Sequence, residues 1–159
     1  MVMSKCEEIT DLINDKIGID KVQAAENDPI LFHGFVYKTK QNNAIHRIAR
    51  DKKIKSSIYS VSKIIFTSEQ IFAYQCNFDM TNDVYDEIIE EFFYKDVTNL
   101  SVIDRTFYYD GELRKNRFFS IIVPGCKFYC SITGNPDADR SIDSMKQKLR
   151  EKKIQFKYF

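Results

Sequence analysis

Residues 58–78 read IYSVSKIIFTSEQIFAYQCNF. Positions 58–66 and 71–78 are two runs rich in β-branched and aromatic side chains. Thr67-Ser68-Glu69-Gln70 between them is a polar break of hairpin length. The stretch therefore predicts an antiparallel hairpin, and the pattern continues downstream. Thr81-Asn82-Asp83 marks a turn in the polar segment 80–86. Residues 87–94 read two ways. Ile88, Ile89, Phe92 and Phe93 would make a helical stripe, while length and aromatic content suit a strand. After a turn at Lys95-Asp96, residues 97–102 return to β character. Residues 107–109 and 112–123 flank Asp110-Gly111, the strongest local hairpin signal. Pro124-Gly125 breaks the chain again, and 127–133 is a further strand.

The C-terminal end is helical. Asn135-Pro136-Asp137 supplies an N-cap, a proline at the first helical position and an acid in the first turn. Ala138, Ile142, Met145 and Leu149 then fall on one face, and Lys146, Lys148, Arg150, Lys152 and Lys153 load the C-terminal half. Ile154, Phe156 and Tyr158 alternate as a short tail. Upstream of the hairpin, residues 4–17 predict a helix with Ser4 and Glu7 as a capping box. Ile9, Leu12, Ile13 and Ile17 share one face, and Gly18 ends it. A short helical stretch over 20–27 is stopped by Pro29. Residues 30–37 are apolar enough for a buried strand or an extended linker. Ala44, Ile45, Ile48 and Ala49 suggest a short helical turn between basic flanks. The order is a helical lead, about six or seven strands at short spacing, and one closing helix: an α+β, mainly β chain.

Composition narrows the class. The 159 residues are 43% hydrophobic, enough for one domain with a buried core. Lys plus Arg is 24 against 23 for Asp plus Glu, a net +1 that argues against a globally basic nucleic-acid binder. No segment approaches the ~20 apolar residues of a membrane span. The start meets charge at once, unlike a secretory signal. Cys6, Cys76, Cys126 and Cys130 are therefore expected as reduced thiols in a cytoplasmic protein. Cys126 and Cys130 lie in strand-type sequence, where four residues span roughly 13 Å, too far to share a metal ion.

This order resembles the pleckstrin-homology-like (PH-like) superfold as found in bacterial proteins. The resemblance covers roughly residues 56–153. Residues 62–74 are similar to its hairpin of apolar pair, polar turn and apolar pair. Residues 93–100, Phe-Tyr-Lys-Asp-Val-Thr-Asn-Leu, look like its Tyr-x-Asp-Ile-x-x-Val corner. Residues 118–125 followed by 135–153 look like its last strands and helix. The resemblance implies a partly open antiparallel barrel corked by the C-terminal helix, over 56–159. Residues 1–55 would be a helical extension and basic connector packed upon it. It also makes 87–94 a strand. Its members are mostly binding modules for lipid headgroups, peptides or partner proteins.

No catalytic set stands out. Only His33 and His46 could serve as an imidazole base; His33 lies in an apolar stretch and His46 among cations. There is no HExxH, and the five glycines form neither GxGxxG nor GxxxxGK[ST]. No enzyme activity, cofactor or metal is expected. Two charge runs remain. Lys38, Lys40, Arg47, Arg50, Lys52, Lys53 and Lys55 oppose only Asp51, a local +6 that is the candidate site for an anionic ligand. Asp79, Asp83, Asp86, Glu87, Glu90, Glu91 and Asp96 oppose Lys95, a local −6. The plain reading of both is a solvated face.

The first expectation is a protein-interaction module, with a peptide added to an open sheet edge or laid beside the closing helix. The alternative is peripheral binding of anionic lipid headgroups through the basic run, each residue being worth about 1 kcal/mol near an anionic surface. With the barrel starting near Ser56, its first turn, Ser68-Glu69, is acidic where lipid-binding relatives place cations. With residues 30–38 as the first strand, the basic run falls in the favoured loop. Nucleic acid, with Tyr37 and Tyr59 as stacking groups, is disfavoured by the charge balance.

Overall fold

The computed structural model describes residues 7, 8, 11, 12, 15, 16, 28–37 and 46–157. Strand β4 (Ile58–Phe66) lies at its centre, and all nine of its residues are buried, so both of its faces are covered. It pairs on one side with β1 (Ile30–Val36), from Ile30↔Ile64 to Val36↔Ile58, and on the other with β5 (Gln70–Asp79), from Ile58↔Asp79 to Phe66↔Ile71. Strand β6 (Tyr85–Phe93) adds beyond β5, giving the order β1-β4-β5-β6. A second sheet runs β7 (Asn99–Tyr109), β8 (Glu112–Val123), β9 (Cys126–Ser131). A short ladder joins β2 (His46–Ile48) to β3 (Ile54–Ser56). All pairings are antiparallel, none of the three sheets closes on itself, and helix α1 (Ala138–Lys157) follows. The protein is mainly β with a C-terminal helix, an α+β fold.

The turns form for local reasons. Thr67 closes β4–β5: its backbone N–H and its hydroxyl both donate to the Gln70 carbonyl (3.0 and 2.9 Å), and the hydroxyl oxygen accepts from the Gln70 N–H at 3.2 Å. Asp110 and Gly111 have φ of 52° and 74°, the left-handed pair that a tight β7–β8 turn requires.

Alternation along the strands creates two cores. One is shared by both sheets and α1. It gathers Ile64, Phe66, Ile71 and Phe92 from the first sheet, Leu100, Phe119, Ile121 and Phe128 from the second, and Ala138, Ile142, Met145 and Leu149 from the helix. Phe32 meets Phe119 at 5.4 Å between ring centroids, and Phe92 meets Phe128 at 6.2 Å. Tyr94 and Val97 fill the corner between the sheets. Both are fully buried, and the Tyr94 hydroxyl donates to the Thr67 carbonyl at 2.5 Å. The other core, on the outer face of the first sheet, gathers Tyr59, Val61, Ile65, Phe72, Tyr74, Cys76 and Phe78.

Several expectations change. Of the two readings of residues 30–37, the strand is the one formed: 30–36 pair with β4, so the first sheet includes an edge from before Ser56. Of Ala44, Ile45, Ile48 and Ala49, which suggested a helical turn, the last two are described. Ile48 is in β2, because the chain there pairs with 54–56. The expected runs 97–102 and 107–109 belong to one long strand, β7, held along its whole length by β8. Nine described strands replace six or seven, two of them only three residues long. Asn135 does not cap α1 with its side chain. Its Oδ1 accepts the His33 backbone N–H at 2.7 Å and its Nδ2 donates to the Leu31 carbonyl, so it ties the helix entry to β1. Asp137 accepts the first helical bond, from Ser141. The helix runs on through Lys157, over positions 154–157 expected as an alternating tail; Tyr158 lies outside the described residues. Residues 7, 8, 11, 12, 15 and 16 are helical. Ser4, Ile9, Ile13, Ile17, Gly18 and 20–27 lie outside the described residues.

Candidate functional site

Strand β6 is an edge: its ladder runs to β5 alone among the described strands. Its side chains alternate, so Tyr85, Glu87, Ile89, Glu91 and Phe93 share the outer face of the sheet with Tyr74 and Cys76 of β5. Tyr85, Ile89 and Phe93 are 60%, 51% and 52% exposed, and Val84 just before the strand is 64% exposed. Large apolar groups so open, in a row, on a strand that ends its sheet among the described strands are characteristic of contact surfaces. Asp83, Asp86, Glu87, Glu90 and Glu91 are interleaved with them. The same charges oppose pairing of β6 with a second β6.

At the start of this edge lies a cavity of about 300 Å³. Tyr74, Cys76 and Phe78 of β5 form one wall, and Tyr85 and Glu87 of β6 another. The turn residues Asp79, Asn82, Asp83 and Val84, with Glu8 and Leu12 of the N-terminal helical stretch, complete it. Glu87 organises the wall. One carboxylate oxygen accepts the Tyr74 hydroxyl at 2.7 Å, and the other pairs with Lys16. The Lys16 ammonium, then the Tyr74 hydroxyl, hold the Glu87 carboxyl below its ordinary value. Burial, reinforced by Glu87, pushes the Tyr74 phenol far up. Burial and the Glu87 charge push the Cys76 thiol up to about 11. Asp79 accepts from the Thr81 hydroxyl and backbone N–H and from Asn82; these bonds lower its carboxyl and fix the turn. The lining thus combines the buried rings of Tyr74 and Phe78 with the acidic side chains Glu8, Asp79, Asp83 and Glu87.

The basic run lies elsewhere. Lys38 and Lys40 are outside the described residues. Arg47 on β2 faces Lys55 on β3 in register, and Arg50, Lys52 and Lys53 occupy the connecting turn, where Lys52 has a φ of 60°. Arg47, Arg50, Lys52 and Lys53 are exposed. Lys55 is tied down: it pairs with Asp51 at 3.4 Å and lies 5.4 Å from the Phe35 ring centroid. Asp51 also accepts the Lys53 backbone N–H, the chief cause of its lowered carboxyl. Five of the seven predicted cations therefore share one hairpin, and none of those five lines the cavity.

The remaining candidates have structural surroundings. His33 Nδ1 bonds the Tyr59 hydroxyl at 2.5 Å, and burial lowers its proton affinity. His46 is in β2. Cys126 is exposed at one end of β9, and Cys130 is buried near the other. Among the described residues, no group of three or more His, Cys, Asp or Glu side chains is placed to hold a metal ion, and no helix is long and apolar enough to cross a membrane. Residue-by-residue reading missed the cavity, whose wall joins β5, β6 and the N-terminal stretch. The edge had a signal: over 84–93 apolar and acidic residues alternate in pairs, so that a strand there carries both kinds on each face and has no wholly apolar side to bury.

The architecture so defined is a pair of antiparallel sheets sharing a core with a C-terminal helix. Comparison with protein families, with curated proteins and with solved structures finds no match for the chain.

Proposed function

We propose that this chain is a non-catalytic binding module of PH-like type, working in the cytoplasm, that takes an extended segment of a protein partner along β6. The observation that carries the reading is the nine-residue edge strand with Tyr85, Ile89 and Phe93 open to solvent. An added strand pairs along the side of β6 away from β5, and its alternate side chains cover those apolar groups. The core shared by two antiparallel sheets and the C-terminal helix supports the PH-like assignment. Selection of ten-residue peptides from a random displayed library on the full chain tests this. Enriched peptides are expected to slow amide exchange in β6 and to lose binding to a Tyr85→Ser/Ile89→Ser variant. Enriched peptides that bind the variant undiminished would overturn the reading, as would an absence of enrichment.

A second reading, peripheral binding of anionic lipid headgroups, is supported by the position of the basic hairpin. With Ile30–Val36 as the first strand, Arg47, Arg50, Lys52 and Lys53 fall in the connection from β1 to β4, the loop the family resemblance favours. Cosedimentation with phosphatidylserine vesicles that weakens with salt would support it; none at low salt would end it.

A further inference from the structure

The β6 reading leaves open which partner sequence the edge accepts, and the cavity beside it bears on that choice. Resting on that reading, we infer that the partner segment is cationic and that one lysine or arginine side chain of it enters the cavity at the start of β6. Three observations converge. The first is the space, about 300 Å³, on the outer face of the sheet, where Tyr85 and Glu87 of the edge strand itself border it. A strand paired to β6 lies about 4.8 Å from it, and its outward side chains stand beside Tyr85 and Glu87.

The second is the chemistry of the walls. Phe78, Tyr74 and Tyr85 offer apolar and aromatic surface, which suits the methylene stem of a lysine or arginine and the cation–π contact of its head. A fully apolar side chain would bring the acidic lining no counter-charge beyond Lys16, and an anionic one would be repelled by it. The third is the charge. Asp79, Asp83 and Glu87 border the space, and Lys16 pairs with Glu87. Along the rest of the edge, Asp86, Glu90 and Glu91 extend the same sign. The edge therefore favours a basic strand and disfavours an acidic one, and the cavity fixes its register.

The test uses the full chain and fluorescein-labelled decapeptides that alternate valine and threonine and carry a single arginine, placed in turn at each position. The arginine peptide of best register is compared with its citrulline counterpart, which keeps the shape and loses the charge. Binding is expected to fall about tenfold on that exchange, and similarly for the arginine peptide on Asp83→Asn, a substitution in an exposed turn. The citrulline peptide should be indifferent to Asp83→Asn, and the arginine advantage should shrink with salt. Equal binding of arginine and citrulline peptides, both abolished by N-methylation of alternate amides, would overturn the cavity assignment and leave the edge reading standing. A peptide that binds as well when N-methylated, or no binding by any peptide, would remove the edge reading and this inference with it.

Discussion

Tyr74 and Glu87 are joined diagonally across the β5–β6 ladder: Tyr74 stands opposite Ile89, and its hydroxyl reaches two residues back to the Glu87 carboxylate at 2.7 Å. The tyrosine is fully buried and its ring belongs to the outer core, while the carboxylate belongs to the cavity wall. The bond thus ties a packing residue to the candidate site.

Removing the hydroxyl should loosen both. Tyr74→Phe keeps the ring in the core and leaves Glu87 with Lys16 as its polar partner. A loss of about 1 kcal/mol of stability is expected, the usual worth of one hydrogen bond. The urea midpoint should fall without a change in slope. The acid limb should change too. Because the folded-state carboxyl of Glu87 is lowered, its contribution is complete above the unfolded value of about 4.3 and is lost as pH falls through the lower folded value. Below about pH 4.3, wild-type stability should therefore fall more steeply than that of Glu87→Gln.

The thiols should separate by environment. Cys126 is exposed at the start of β9, whereas burial pushes Cys76 up to about 11 and Cys130 up to about 12. At pH 8 the buried pair hold little thiolate, so alkylation of native protein, read by peptide mass mapping, should label Cys126 roughly a hundredfold or more faster than either. Equal rates would mean that β5 and β9 open readily.

Much of this fold could be read from the chain because its strands are bounded by strong local signals. Thr67–Gln70 and Asp110-Gly111 specify their turns by their own side-chain bonds and backbone angles. The spacing of Ala138, Ile142, Met145 and Leu149 needs a helix to bring all four into one core. What could not be read depends on partners far along the sequence. Residues 30–36 are apolar in any setting, and only the ladder to β4 makes them a strand. The cavity likewise exists only because residues near 8–12 come to lie beside 74–87. The basic run was visible as charge, but the pairing of 46–48 with 54–56 decides that it is a hairpin and not a helical turn.

Asn135 illustrates the same point in a form that can be measured. Its sequence setting is that of a helix cap, yet its side chain bridges the His33 N–H and the Leu31 carbonyl, 102 and 104 residues away. Asn135→Ala should cost about 1–3 kcal/mol by leaving the His33 donor unmade. Asn135→Asp keeps the acceptor and should recover part of the loss. Hydrogen exchange at the His33 amide should quicken in the alanine variant and be largely restored in the aspartate one.

The neighbouring glycine should tolerate no side chain. A Cβ at Gly134 would stand 2.6 Å from His33 Nδ1 and 2.9 Å from the His33 carbonyl oxygen, and the latter is backbone that cannot swing aside. Gly134→Ala should therefore destabilise by about 1–3 kcal/mol, the range for overpacking, measured by thermal or urea unfolding. It should also part β1 from the loop before α1, since the Gly134 N–H donates to that same carbonyl at 3.0 Å.

His33 should give the protein a mild pH dependence near neutrality. Burial against Tyr59 lowers its folded-state proton affinity, so the unfolded chain binds more protons in the window below the unfolded value of about 6.5. Stability is then complete above about pH 6.5 and declines as pH falls below it, levelling once the folded imidazole also takes a proton. His46 is the chain's other imidazole, so the comparison is made in a His46→Gln background. Urea midpoints should drop between pH 7.5 and pH 5 in that background and stay flatter when His33→Gln is added. Parallel pH profiles for the two proteins would show that the imidazole titrates alike in the folded and unfolded chain, and that its seat against Tyr59 costs the charged form nothing.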